Sequence, residues 1–135
     1  MMERLAYIIM PVGSDKAFES KQAVLEASAR RHGWRFHFPM SYSGLIDGGV
    51  RKHENFELPE VIASMRDASL VIADLSLERP SCYYEVGVAQ TLDRPTLLLA
   101  AVGTVIHQVA HRGRVHFYDG LTGLSEVVAA GLTDR

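Results

Sequence analysis

The segment Leu70–Gln90, LVIADLSLERPSCYYEVGVAQ, decides the fold class of this chain. Its first part, with Ser69 and up to Leu75, is a short apolar run rich in β-branched residues, typical of a strand buried on both faces. The part from Cys82 to Asp93 has the spacing of a helix. A buried strand that leads into a helix is the repeating unit of a parallel sheet with right-handed crossovers. The segment therefore predicts an α/β fold.

The same alternation of strand and helix extends to both ends of the chain. Helices between apolar strands predict a five-stranded parallel sheet, ordered 2-1-3-4-5, with both faces covered. The predicted strands are Leu5–Met10, Trp34–Phe38, Ser69–Leu75, Pro95–Ala101 and Arg114–Tyr118. The predicted helices are Lys16–His32, capped by Ser14 or Asp15 and stopped by Gly33, then Leu58–Met65, Cys82–Asp93 and Leu121–Leu132.

The stretch from Pro39 to Asn55 has neither helical nor strand periodicity. Loops of this length are uncommon in compact domains and are usually functional, so we expect a lid or a substrate-specificity segment. Its Gly48-Gly49 pair lacks the strand-to-helix context of a dinucleotide fingerprint.

Bulk composition excludes several classes of function. The chain has 135 residues and a formal net charge of -2, which indicate one domain over residues 1–135 without general attraction to nucleic-acid polymers or anionic membranes. The apolar run Leu5–Met10 is too short for a signal peptide or a membrane span. The single cysteine, Cys82, excludes an internal disulfide. We expect a cytoplasmic protein.

Ligands of open parallel sheets bind beyond the carboxyl ends of the strands, where the strand order reverses. The predicted topology puts this point between the first and third strands, at loops 11–15 and 76–81. If Ser81 caps the following helix, the free backbone N–H groups there would hold an anion such as a phosphate, with Arg79 adding a charge. His107 and His111 stand four apart but lack a third ligand, so no metal is expected.

Two carboxylates flank this crevice. Glu85 shares a helix face with Val88 and Ala89, the side expected to press on the sheet, where a carboxylate is unusual. Asp74 ends the preceding strand. Taken singly, Asp74 is explained as a turn residue and Glu85 as an acid that favours the helix dipole. Together they favour a site in which two acids divide the chemical roles.

The residues Ala73-Asp74-Leu75, followed by Tyr84-Glu85-Val86-Gly87, resemble the signature of the nucleoside 2-deoxyribosyltransferase superfamily, including its nucleotide N-glycosidase and TIR-like relatives. The opening Ile8–Pro11 resembles the first strand and turn of that family. The resemblance covers the centre of the sheet, roughly from Leu5 to Leu99. It implies a flavodoxin-like three-layer sandwich.

The resemblance also implies an enzyme that attacks the N-glycosidic bond of a nucleoside or nucleotide, with Glu85 as the nucleophile and Asp74 in contact with the substrate. No cofactor is implied. A homo-oligomer, dimer or larger, is implied because family members complete their sites from a neighbouring subunit. The candidate substrate-binding residues are Pro11, Gly13, Ser14, Arg79, Ser81 and Tyr84, of which Gly13, Ser14 and Ser81 take the places that bind a 5′-phosphate in relatives.

Two features depart from the family pattern. Relatives often carry an Asn-Pro-Asn style loop where this chain has Arg79-Pro80-Ser81, which leaves the choice of substrate open. The acid that orients the sugar in some members has only Glu60 as a candidate. Two alternatives stay open beside the glycosidase: a module that binds a nucleotide signal without turnover, and a TIR-like enzyme that cleaves NAD.

Overall fold

The computed structural model describes residues 4–11, 13–38 and 58–133, together with the backbone pairing of residues 46–47 and 50–51. The strands are β1 (Arg4–Ile9), β2 (Trp34–His37), β3 (Ile46–Asp47), β4 (Val50–Arg51), β5 (Leu70–Asp74), β6 (Thr96–Ala101) and β7 (Val115–Tyr118). The helices are α1 (Phe18–His32), α2 (Leu58–Asp67), α3 (Pro80–Thr91) and α4 (Gly120–Thr133), with a 3-10 turn at Val109–His111.

Five of these strands form one parallel sheet in the order β2-β1-β5-β6-β7. The predicted order 2-1-3-4-5 is confirmed. Every residue of β5 is buried, as its continuous apolar sequence predicts for a central strand covered on both faces. Because the strands are parallel, the turn after β1 and the loop after β5 lie at the same edge of the sheet.

Two apolar layers cover the sheet. One contains Ile8 and Ile72 with residues of α1 and α4. The other contains Ile9 and Ala73 with residues of α2 and α3. Side chains that alternate along a strand therefore enter different layers. None of the helices in the described part of the chain combines the length and the apolar character that a membrane span requires.

The segment predicted to be a plain loop contains a short hairpin. β3 and β4 pair antiparallel, with Asp47 opposite Val50. The prediction of a stretch without strands is wrong at these residues, because a strand of two residues is too short to produce a readable alternation. The rest of Pro39–Asn55, and with it the prediction of a lid, lies outside the described residues.

The two helices next to the crevice begin differently from the prediction. α3 starts at Pro80, a residue favoured at the first helical position, and the capping position is Arg79 in extended conformation without a side-chain cap. The prediction that Ser81 caps this helix is therefore wrong. α1 starts at Phe18, and Asp15 serves its first turn by accepting a 2.8 Å hydrogen bond from the N–H of Ala17.

Candidate active site

Glu85 on α3 reaches across to the central strand β1. The buried hydroxyl of Tyr7 donates a 2.9 Å hydrogen bond to Oε1 of Glu85. Tyr7 belongs to the apolar layer between the sheet and α2/α3, and Glu85 is half-buried beside it. Within the described residues, Oε2 of Glu85 accepts no hydrogen bond. Tyr7 thus holds one carboxylate oxygen in place, and no donor among the described residues holds the other.

Two opposing effects set the protonation of this carboxyl. Burial raises the pKa of Glu85, and the hydrogen bond from Tyr7 works against that rise. Burial, the charge of Glu85 and the hydrogen bond to it raise the pKa of Tyr7, so the phenol keeps its proton and remains the donor. Tyr7 therefore favours the ionised form of Glu85 in a place where desolvation alone would favour the neutral acid.

An exposed histidine completes this group. His37 is the last residue of β2 and pairs in register with Tyr7 on β1. The two rings are stacked, with centroids 5.3 Å apart and planes 19° apart. His37 therefore lies on the same face of the sheet as Tyr7 and Glu85, near the carboxyl ends of the strands.

Asp74 lies on the other face of the sheet. It lies two residues after Ile72 on β5, so its side chain enters the same layer, that of α1 and α4, where it is 5% exposed. Its Oδ2 accepts hydrogen bonds from Nζ of Lys21 at 2.9 Å and from the hydroxyl of Tyr118 at 3.0 Å. Its Oδ1 accepts from the N–H and the hydroxyl of Ser76. Asp74 and Glu85, predicted to flank one crevice, thus lie on opposite faces of the sheet. Protein donors occupy both oxygens of Asp74.

Lys21 connects Asp74 to the turn after β1. Its Nζ lies 2.6 Å from Oδ2 of Asp15 and 2.9 Å from Oδ2 of Asp74, and all three side chains are at most 10% exposed. Burial on its own would lower the pKa of Lys21, but the hydrogen bond to Asp15 and the charge of Asp74 raise it above the ordinary value. This buried ion network anchors the turn to the end of β5.

The turn itself carries the predicted phosphate-binding residues. Pro11 is buried, whereas Gly13 and Ser14 are exposed. Gly13 has a φ of 83°, a left-handed conformation that favours glycine. A cavity of about 330 Å³ opens here, lined by Gly13, Ser14, Asp15, Lys16, Phe18 and Glu19. Because Lys21 neutralises Asp15, this acid is already paired within the protein.

The start of α3 presents the other predicted contacts. Arg79, Ser81 and Tyr84 are all exposed, Tyr84 to 54%. The first turn of this helix contains no acidic residue, which favours an anion at its start. Pro80 has no N–H, and the two N–H groups that follow Ser81 donate to the carbonyl of Arg79, so among the described residues of this turn the N–H of Ser81 is the one left for an anion. Ser81 occupies the second helical position rather than the cap. Glu60 is exposed on α2.

A second polar cluster is centred on Glu78, in the loop before α3. Glu78 adopts a left-handed backbone with φ 47°. Its carboxylate accepts hydrogen bonds from the N–H of His107 at 2.8 Å, from the His107 ring at 2.6 Å and from Tyr83 at 2.7 Å. Led by that backbone N–H, these contacts lower the pKa of Glu78 to about 2. His111 instead stacks on Tyr83, and the described residues contain no cluster of metal-ligating side chains.

The sequence analysis did not identify Tyr7, Lys21, His37 or Tyr118 as residues of the site. A lysine among the apolar residues of a helix was a usable signal for Lys21, because such a cation needs a buried partner. The strand order would have placed His37 next to Tyr7, but only once the register was known.

Comparison with known proteins finds likeness in structure but not in sequence. No family model matches the chain, and no curated protein matches it in sequence. Among solved structures it is similar to the CMP N-glycosidase BcmB of Clostridium botulinum, with a TM-score of 0.62 and 12% identity, over 92% of this chain and 98% of that one. At this identity the match shows a shared fold, and the flavodoxin-like architecture expected from the family resemblance is confirmed.

Proposed function

We propose that this protein cleaves or transfers at the N-glycosidic bond of a nucleotide or nucleoside, with Glu85 as the nucleophile. The observation that supports this most directly is the hydrogen bond from Tyr7 to Oε1 of a half-buried Glu85. It orients the carboxylate, favours its ionised form and leaves Oε2 to attack.

The reaction needs an anion close to the anomeric carbon. Its transition state resembles an oxocarbenium ion, which a nearby carboxylate stabilises and then captures. In our proposal Oε2 of Glu85 bonds to the anomeric carbon while the bond from that carbon to the base nitrogen breaks. Water or a second acceptor then releases the sugar. Tyr7 stays hydrogen-bonded to Oε1 throughout.

Several features support a nucleotide as the substrate. The fold is shared with a CMP N-glycosidase. The turn with Gly13 and Ser14 and the start of α3 with Ser81 lie at one edge of the sheet, after neighbouring strands. A free backbone N–H at a helix start, such as that of Ser81, attracts phosphate. We propose that these residues hold the 5′-phosphate, with Pro11 shaping the turn and Arg79 and Tyr84 touching the substrate.

Asp74 receives a different role in this proposal. Its four hydrogen bonds come from Lys21, Tyr118 and Ser76, so it acts as a positioning residue. Through Lys21 and Asp15 it holds the turn that would receive the phosphate.

A release assay tests the proposed function. The purified chain is incubated separately with CMP and other nucleoside monophosphates, with deoxynucleosides and with NAD, and the free base is measured by chromatography. We expect base release by the wild type that Glu85→Gln abolishes. Glu126→Gln makes the same chemical change at an exposed residue of α4 and should leave the rate unchanged. Tight binding without any release would support the signal-binding module instead, and release from NAD alone would support the TIR-like enzyme.

The proposal includes a homo-oligomer in the cytoplasm. Light scattering coupled to size-exclusion chromatography measures the mass of the particle, and a mass of one chain would contradict the oligomer.

A further inference from the structure

We propose that His37 is the general acid that protonates the departing base. This inference rests on the proposed function, since it concerns the same bond. A nucleobase leaves with the electron pair of the broken bond, so a proton must reach it as the bond breaks. Glu85 supplies the attacking oxygen and cannot also supply this proton.

The position of His37 suits this role. Its ring is stacked on Tyr7, whose hydroxyl is bonded to Glu85, so the three side chains form a continuous group on one face of the sheet. Glu85 lies off the hydroxyl end of Tyr7, and His37 lies over the ring. In this proposal the base of a sugar bound at Glu85 lies on the side where His37 is exposed.

Three other proton-bearing groups of the described residues are less suited to this role. Asp74 is buried on the opposite face. The hydroxyl of Tyr7 is bonded to Glu85, and burial keeps the proton on this phenol. His107 is hydrogen-bonded to Glu78, in the loop before α3. His37 carries an imidazole, the side chain that most often acts as a general acid or base in enzymes.

The proton and electron balance closes over a full turnover. In the first step Oε2 of Glu85 bonds to the anomeric carbon, the bond to the base nitrogen breaks, and imidazolium His37 gives its proton to the base. In the second step the neutral imidazole takes a proton from water as the water oxygen displaces Glu85 from the anomeric carbon. Glu85 is then a free carboxylate and His37 is again an imidazolium.

A comparison of two leaving groups tests this assignment. One substrate is CMP, or the nucleotide that the wild type cleaves fastest. The other carries 4-nitrophenolate on the same ribose 5′-phosphate, and this leaving group departs without being protonated. His37→Phe keeps a ring that stacks on Tyr7 but has no proton to give. His116→Phe on β7, also exposed, is the matched control.

We expect His37→Phe to lower the single-turnover rate of base release from the nucleotide by about 10²- to 10⁴-fold, the usual contribution of a general acid. The single-turnover release of 4-nitrophenolate should be unchanged, because His37 acts as a base only in the second step. His116→Phe should change neither rate. If His37→Phe lowers the single-turnover rate equally on both substrates, His37 has a positioning role and the inference is overturned. An unchanged nucleotide rate would overturn it as well. A wild type inactive on both substrates would instead overturn the proposed function and this inference with it.

Discussion

The hydroxyl of Tyr7 lies 2.9 Å from Oε1 of Glu85, although the two residues are 78 positions apart in the chain. The contact joins the central strand β1 to α3, which packs on the sheet together with α2. It gives the carboxylate of Glu85 a fixed orientation and a hydrogen-bond donor that favours its ionised form.

Replacing this donor should change the pH dependence of the reaction. Tyr7→Phe removes the hydrogen bond that works against the rise in the pKa of Glu85, so burial acts alone and the pKa rises further. Because the ionised carboxylate attacks, the acidic limb of the kcat/KM profile should move to higher pH. At neutral pH we expect a loss of about ten- to a hundredfold, the value of a hydrogen bond to a charged group. Tyr83→Phe, whose hydroxyl bonds Glu78, should leave the acidic limb in place, and identical limbs for Tyr7→Phe and the wild type would contradict the role of Tyr7.

Removing the buried cation should destabilise the fold. Lys21→Met leaves Asp15 and Asp74 without their shared partner, and breaking a buried ion pair in this way costs about 3 to 5 kcal/mol of unfolding free energy. Urea unfolding followed by circular dichroism measures the loss. Lys16→Met, at an exposed position before the same helix, should have little effect. A similarly small effect at Lys21 would mean that the network contributes nothing to stability.

The cluster at Glu78 should make stability sensitive to acid. The pKa of Glu78 in the folded protein is about 2, below the 4.5 of an unperturbed glutamate. The unfolded chain then binds more protons than the folded one, so this contribution is complete above pH 4.5 and is lost as the pH falls toward 2. The denaturant concentration at which half of the protein is unfolded should fall less steeply with decreasing pH for Glu78→Gln than for the wild type. Glu126→Gln should retain the wild-type slope, and parallel slopes for Glu78→Gln would exclude this residue as the source.

Ser81 should matter for nucleotides in particular. If its hydroxyl and its backbone N–H hold a 5′-phosphate, Ser81→Ala should lower kcat/KM for the nucleotide by about ten- to a hundredfold, as expected for a hydrogen bond to a charged group. The corresponding nucleoside should be affected much less. Ser20→Ala, at an exposed position of α1, is the control. Equal losses of kcat/KM on the nucleotide and the nucleoside would show that Ser81 does not bind the phosphate.

The topology was predictable because its signals are local. Continuous apolar runs mark β1, β5 and β6 as central strands, and the helices between them require parallel pairing. The unusual acid on the packed face of α3 was also visible, since helical spacing alone places Glu85 beside Val88 and Ala89. These inferences need no knowledge of which residues meet across the fold.

The partners of the two acids were harder to predict, because they depend on the face of the sheet that each strand residue occupies and on the register between strands. Asp74 shares its face with Ile72, two residues earlier, whereas α3 packs on the opposite face. Counting along β5 would have separated Asp74 from Glu85, but its place at the strand end suggested a shared crevice. The start of α3 was misplaced for a local reason: Pro80 at the first helical position outweighed the capping preference of Ser81.

The left-handed backbone of Glu78 restricts how this position can vary in evolution. Glycine would relax the backbone but delete the carboxylate that meets His107 and Tyr83, and most other side chains would keep the unfavourable conformation without those contacts. Residues 78 and 107 are therefore expected to co-vary among homologues: chains that retain the acid should retain a donor at 107, and chains that lose it should carry glycine or asparagine at 78.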